Sequence, residues 1–197
     1  MTKNKSDINL LKNQIRQDLL SKRKMYSKTE CTKSSEFLCL QLIEIFKVDR
    51  PDILLLYNAY GKEASLEKFI DWVVAQKIDF ALPKVSDDTM DFIKCDSLSD
   101  LTPGAFGILE PVGTEIIDLK DYCDKSVVCI VPGVGFDKAG HRIGHGKGYY
   151  DKYFQYFPQV KLYGVCHDFQ LVEEIPTDKY DITMTKVISP NYILDID

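Results

Sequence analysis

The chain is expected to fold as an α/β protein with a mainly parallel sheet, on three observations. Short, mostly apolar runs recur at residues 53–57, 78–82, 127–131 and 162–166, and those at 53–57 and 127–131 are continuous, as in strands covered on both faces. Stretches with apolar residues at helical spacing separate several of them, and strands alternating with helices indicate parallel pairing. A glycine-rich stretch, residues 131–154, joins one apolar run to an aromatic-striped helical pattern and holds six of the eleven glycines. In a parallel sheet such a junction falls at the carboxyl end of a strand, where ligands bind and helical amides point outward unpaired.

Each element has its own signal. Ser6 or Asp7 is expected to cap a first helix with Ile8, Leu11, Ile15 and Leu19 on its apolar stripe. Lys12 and Arg16, four residues apart, share a face beside that stripe. Taken alone they read as a solvated basic face; a phosphate site nearby would give them a partner. Ser27 and Glu30 have capping-box spacing for a second helix, with Phe37, Leu38, Leu42, Ile45 and Phe46 facing inward, and Pro51 closes the segment. The strand at 53–57 leads into the loop NAYGKEAS, and Ser65 caps a third helix that buries Leu66, Phe69, Ile70, Val73 and Val74. Strands are expected at 78–82, ending at Pro83 and Lys84, and at 90–95. The connection 97–113 contains PGAFGILEP, which either lines a cleft or packs over an edge. The helix after the glycines is expected over 149–157, and the last strand over 182–188. The acidic loop before that strand, with Glu173, Glu174, Asp178 and Asp181, is either plain surface or brings a carboxylate to a metal.

The size, 197 residues, suits a single domain over 1–197, and the composition is that of an ordinary globular protein. The net charge of −5 argues against nucleic acid as the main partner. Residues 1–30, however, carry eight lysines or arginines against three acidic residues. That basic segment either binds nucleic acid or supplies cations to a phosphate site elsewhere in the fold; the lack of interleaved aromatics favours the second. The six cysteines form no CxxC pair and no zinc spacing, as expected of free thiols in a reducing compartment. The first ten residues lack the apolar stretch of a signal peptide, so a cytoplasmic protein without a membrane partner is expected.

The glycine stretch matches neither well-known phosphate loop. A Walker loop needs GxxxxGK, and the nearest match, from Gly135 to His141, ends in GH; a dinucleotide fingerprint needs GxGxxG, and here Gly144, Gly146 and Gly148 alternate. Alternating glycines let backbone amides approach oxygen atoms closely, and Arg142, His145 and Lys147 add charge, so the stretch reads as a different phosphate cradle. Asp151 lies in the first turn of the following helix. It is either a helix-dipole partner or a magnesium ligand bridging to phosphate. His141 and His145 lack a third metal-binding partner, and no GxSxG elbow supports a serine triad. Tyr149 and Tyr150 adjoin the cradle, where one of them can stack on a flat ring.

The run from Pro132 to Asp151, PGVGFDKAGHRIGHGKGYYD, resembles the signature of the 5-formyltetrahydrofolate cyclo-ligase family. The resemblance extends to the Lys12/Arg16 pair, the GKE ending at Glu63, the LPKV ending at Val85, and Ile175, Pro176 and Asp181. It implies an α/β/α sandwich similar to the sugar-phosphate isomerase and CoA-transferase type. It also implies an ATP- and Mg²⁺-dependent conversion of 5-formyltetrahydrofolate to 5,10-methenyltetrahydrofolate, with release of ADP and phosphate and with a monomer as the acting species. By motif position, Lys12, Arg16, Arg142, Ile143, Gly144, His145, Gly146, Lys147, Gly148, Tyr149 and Tyr150 would surround ATP. Asn58 and Glu63 would meet the folate, Glu63 by accepting hydrogen bonds from the pterin, together with His145 to Tyr149. Asp151 and Asp181 would hold Mg²⁺.

A formamide oxygen is a poor leaving group, and its phosphorylation removes that obstacle. Side chains then have to align the attack and neutralise the phosphate oxygens, duties that fall to Arg142 and Lys147. Phe106, Tyr180 and His145 depart from residues common in the family, which bears on substrate affinity more than on reaction type. A sugar-phosphate isomerase is the rival enzyme class, and a folate- or nucleic-acid-binding module the rival outside catalysis.

Overall fold

The computed structural model describes residues 5–104 and 109–196. Its elements, in order, are α1 (Lys5–Met25), α2 (Lys28–Val48), β1 (Ile53–Leu55), α3 (Glu67–Ala75), β2 (Asp79–Ser86), β3 (Thr89–Cys95), β4 (Leu101–Pro103), β5 (Leu109–Pro111), β6 (Val127–Pro132), β7 (Gly135–Asp137), β8 (Arg142–Ile143), α4 (Tyr149–Phe154), β9 (Lys161–Val165), β10 (Leu171–Val172), β11 (Lys186–Ile188) and β12 (Ile193–Asp195). Phe106, one of the departures noted above, lies outside the described residues, as does part of PGAFGILEP.

The main sheet has the order β12-β11-β9-β6-β1-β2-β3. Strands β11, β9, β6, β1 and β2 run parallel, and the antiparallel strands β12 and β3 form its edges. Alternation along β1 divides the core. Leu54 joins Leu38, Leu42, Phe46, Phe69 and Val73, from α2 and α3, on one face. Ile53 and Leu55 join Leu119, Phe154 and Val160 on the other, beside α4. Helices therefore cover both faces, which is the expected sandwich. Chain order turns back between β1 and β6, since β2 and β3 lie to one side and β9 and β11 to the other. At such a switch point the loops leaving two neighbouring strands part and leave a crevice.

Several boundaries differ from the sequence expectation, for identifiable reasons. Helix α1 already includes Ser6 and Asp7 in its first turn, so neither caps it. Ser27 does cap α2 with the reciprocal Glu30 bond, but Phe37 on that helix is 59% exposed, because its position points away from the sheet. Leu66 takes the cap position of α3, while Ser65 Oγ still accepts the Glu67 N–H at 3.3 Å. Strand β2 continues through Pro83, which pairs with Phe92 of β3 beyond the reach of β1, where its missing N–H breaks no ladder. Helix α4 stops at Phe154, and the last expected strand shortens to β11 paired with β12.

The glycine stretch supplies β7 and β8 of a small sheet of order β10-β7-β8. Asp137, 1% exposed, holds its hairpin. Its carboxylate accepts the Ala139 and His141 amides at 2.9 Å each and the Ile175 amide at 2.8 Å, and faces His141 Nδ1 at 2.9 Å. Helix α1 lies over this sheet, where Leu19 packs with Val134, Ile143 and Ile175. The six cysteines are unpaired and five are buried; burial pushes the Cys39 thiol up to about 11, which makes it unreactive. No described helix is long and apolar enough to cross a membrane.

Candidate active site

A cleft of about 600 Å³ opens at the carboxyl ends of β1 and β6. Every residue that the resemblance assigns to ATP, folate or Mg²⁺ lines it: Lys12 and Arg16 from α1, Asn58 and Glu63 after β1, the run from Arg142 to Asp151, and Asp181. Asp178 joins them, whereas Glu173 and Glu174 are exposed at the surface. The acidic loop thus divides, with Asp178 and Asp181 at the cleft and Glu173 and Glu174 on the surface.

Helix α1 meets the glycine stretch through one stripe. Lys12, Arg16, Leu19 and Arg23 recur at spacings of four, three and four, which places them on a single helical face. Lys12 pairs with Asp181, and Arg16 Nε donates to Gly144 O at 2.8 Å. A Cβ at Gly135 would overlap Leu19 and stand 3.3 Å from Gln170 O, so the absence of a side chain there is what lets the helix approach. Arg23 Nη2 donates to Gly133 O at 2.8 Å, and its Nη1 stands 3.9 Å from Glu63. Burial holds the Arg23 guanidinium below its ordinary pKa, with Glu63 opposing the shift. Sequence reading overlooked Arg23 as one of three consecutive basic residues; its place seven residues beyond Arg16 was the available signal.

The cations of the cleft are in two states. Arg142 is nearly buried, with a side chain 7% exposed. Its Nη2 donates to Asp151 at 2.9 Å, its Nη1 to Pro132 O at 3.4 Å, and its guanidinium lies 5.4 Å from the centre of the Tyr150 ring. Lys147 is exposed and has no ion-pair partner among the described residues. The ring of Tyr150 is committed to Arg142, and burial pushes its phenol well above the ordinary range. Tyr149 reaches across to donate to Asp87 O at 3.1 Å, which ties the start of α4 to the β2–β3 turn.

Gly146 and Gly148 have φ of +100° and +68°, backbone states that strain other residues and that let the loop double back over the cleft. On the β1 side, Glu63 Oε2 accepts the Tyr60 N–H at 3.0 Å, and Oε1 lies 3.4 Å from His145 Nε2. His145 and His141 do not meet, because His141 turns to Asp137. The two carboxylates assigned to a metal are linked through the backbone: Asp151 Oδ1 accepts the Ile182 N–H at 3.2 Å, one residue past Asp181.

A crevice at a sheet switch point, roofed by a basic helix and floored by a glycine-rich turn, defines an α/β enzyme of small, anionic ligands. Residues 9–190 match the model of the 5-formyltetrahydrofolate cyclo-ligase family, and the chain belongs to that family. It is 29% identical, over 95% of its length and 98% of the relative's, to a probable 5-formyltetrahydrofolate cyclo-ligase of Schizosaccharomyces pombe. The solved 5,10-methenyltetrahydrofolate synthetase of Aquifex aeolicus superposes with a TM-score of 0.80 at 31% identity, covering 94% of this chain and 93% of that one. A 5,10-methenyltetrahydrofolate synthetase from Mycoplasma pneumoniae shares the fold with a TM-score of 0.73 at 23% identity, covering 91% and 99%.

Because Leu19 fills the space above Gly135, Leu19→Ala should lower stability by about 2 to 5 kcal/mol, the usual cost of a cavity left by a large buried side chain. Urea denaturation measures this, with Val48→Ala, at a position 90% exposed, as the near-neutral control. A Leu19→Ala protein as stable as that control would show that α1 is not held by this contact.

Proposed function

We propose that the cleft converts 5-formyltetrahydrofolate to 5,10-methenyltetrahydrofolate at the expense of ATP, releasing ADP and phosphate. The observation that carries the reading is convergence. In a member of this family, the α1 cations, the glycine turn and the Asn58/Glu63 loop all open onto one cleft. A sugar-phosphate isomerase would need the anion cradle alone. Two ligand halves, one cationic and one walled by Tyr57, Pro83, Val85 and Met90, suit a nucleotide beside a flat heterocycle.

ATP supplies the phosphoryl group that makes the formyl oxygen a leaving group; the second folate nitrogen then closes the ring and the oxygen departs with phosphate. The residues hold the reacting groups in line and balance charge, which is the main work of a phosphoryl-transfer site. Arg142, fixed by Asp151, Pro132 and Tyr150, is preorganised to meet phosphate oxygens without rearranging. Lys147, exposed and without an ion-pair partner among the described residues, adds a second cation once a ligand is present. Lys12 and Arg16 close the phosphate end from above, and the backbone from Ile143 to Gly148 supplies close contacts. Glu63 and Asn58 face the folate half. His145, beside Glu63, borders both.

The donor set also suits Mg²⁺. Asp151 and Asp181 are hard carboxylate donors at the phosphate end, and magnesium typically takes one or two carboxylates together with phosphate oxygens and waters. Arg142 and Lys12 now balance those charges, so the same carboxylates are preset for a cation. When bound, Mg²⁺ would neutralise phosphate charge and fix its orientation.

The direct test is ADP formation that requires 5-formyltetrahydrofolate and is matched by the absorbance of the methenyl product; ADP release indifferent to the folate would reject the reading. In that assay Arg142→Ala should lower kcat/KM by about tenfold to a hundredfold, the worth of a lost charge-assisted hydrogen bond. His145→Ala should lose less, because His145 is exposed and stands beside Glu63 at 3.4 Å, outside the buried Arg142–Asp151 pair. Equal turnover of wild type and Arg142→Ala at saturating ATP would remove Arg142 from the reacting centre. Asp151→Asn should raise the Mg²⁺ concentration needed for half-maximal rate, and an unchanged magnesium titration would leave Asp151 as the partner of Arg142 and the helix dipole.

A further inference from the structure

Two glutamates in the folate half of the cleft are in opposite states. Glu63 already accepts the Tyr60 amide at 3.0 Å, lies 3.4 Å from His145 Nε2, and has the Arg23 guanidinium at ion-pair distance, 3.9 Å. Glu110, on β5, lines the same cleft and is only 8% exposed, yet its carboxylate has no hydrogen-bond or ion-pair partner among the described residues. Neither oxygen is among the fully buried unpaired atoms, so the carboxylate of this largely covered residue opens to the cleft, where a ligand can supply its donors.

The surroundings keep this carboxylate in place. A Cβ at Gly104 would stand 2.6 Å from Glu110 Cγ and overlap the carboxyl group, so the glycine makes room for it. Asn58 Nδ2 donates to Leu109 O at 3.4 Å, which fastens β5 to the chain leaving β1. Thr102 pairs with Glu110 across the β4–β5 ladder. Apolar walls from Val85 and Met90 stand in the same cleft.

An ionised carboxylate only accepts hydrogen bonds, so its ligand must offer N–H donors, best as an adjacent pair. Phosphates and the glutamate tail of a folate are anionic and would be repelled. Adenine sets a ring-nitrogen lone pair beside its amino group, which would oppose one carboxylate oxygen. The pyrimidine edge of a reduced pterin offers the ring N3–H and the 2-amino group side by side, matching both oxygens. We propose that Glu110 is a specificity-determining residue that accepts these two donors, leaving Glu63 to set the loop and His145. The proposal rests on the cyclo-ligase reading and adds to it the group that selects the heterocycle.

Wild type, Glu110→Gln, Gly104→Ala and, as a control away from the cleft, Val48→Ala should be titrated without ATP, by calorimetry, with 5-formyltetrahydrofolate and with its 2-deamino-2-methyl analogue. Wild type should bind the natural compound about tenfold to a hundredfold more tightly than the analogue, the range expected for a charge-assisted pair. Glu110→Gln should lose most of that discrimination, and Gly104→Ala should do the same by displacing the carboxylate while keeping it in the sequence. Val48→Ala should retain it. Equal binding of both compounds by wild type overturns the proposal whether or not the variants fold, as does full discrimination by a folded Glu110→Gln. Absence of 5-formyltetrahydrofolate binding to wild type overturns the cyclo-ligase reading and this proposal with it.

Discussion

The site depends on the docking of α1 against the glycine-rich sheet. Four side chains on one helical stripe make the contact, each in a different way: Lys12 by ion pairing, Arg16 and Arg23 by donating to loop carbonyls, and Leu19 by filling the space that Gly135 leaves open. Burying one leucine contributes roughly 2 kcal/mol. The arginine bonds add less in energy than in register, because each guanidinium fits one carbonyl position. Without the helix, Val134, Ile143 and Ile175 would lose the apolar partner that covers them. The basic face of α1 is therefore part of the cleft, and the glycine turn is shaped partly by residues more than a hundred positions earlier in the chain.

The sheet explains why two loops line one cleft. Strands β1 and β6 lie side by side and parallel, in register from Ile53 with Val127 to Leu55 with Cys129, and their loops part at the switch point. The chain leaving β1 carries Asn58 and Glu63; the chain leaving β6 carries the glycine-rich turn. Adjacency of these loops converts a two-substrate reaction into one between neighbours, a gain in rate that needs no covalent participation by the protein. Arg23 spans the two, with one nitrogen on Gly133 and the other near Glu63, so the spacing of the halves is set from behind the cleft.

Much of this was legible in the sequence, through patterns with a direct physical cause. Mostly apolar runs marked β1, β6 and β9 because those strands are covered on both faces. The Ser27/Glu30 spacing marked the start of α2 because two orphan amides are satisfied reciprocally. Where expectation failed, tertiary context decided. Phe37 fits the helical period yet faces outward, and β12 exists through its pairing with β11 rather than through an apolar pattern of its own. The β7–β8 hairpin was hidden among glycines, since its stability comes from Asp137 and from α1. At the site, motif residues were legible as a set, but their partners were not. The bond from Arg16 to Gly144, the commitment of Tyr150 to Arg142, and the lack of a partner for Glu110 among the described residues are consequences of folding that no local spacing encodes.

The central claim is that the cleft brings the formyl oxygen of the folate against a phosphoryl group, so that this oxygen leaves with phosphate. Turnover of 5-formyltetrahydrofolate carrying ¹⁸O in its formyl group, followed by mass analysis of the released phosphate, tests it most directly. The account predicts one labelled oxygen in each phosphate formed. Unlabelled phosphate, with the label recovered in water, would contradict it.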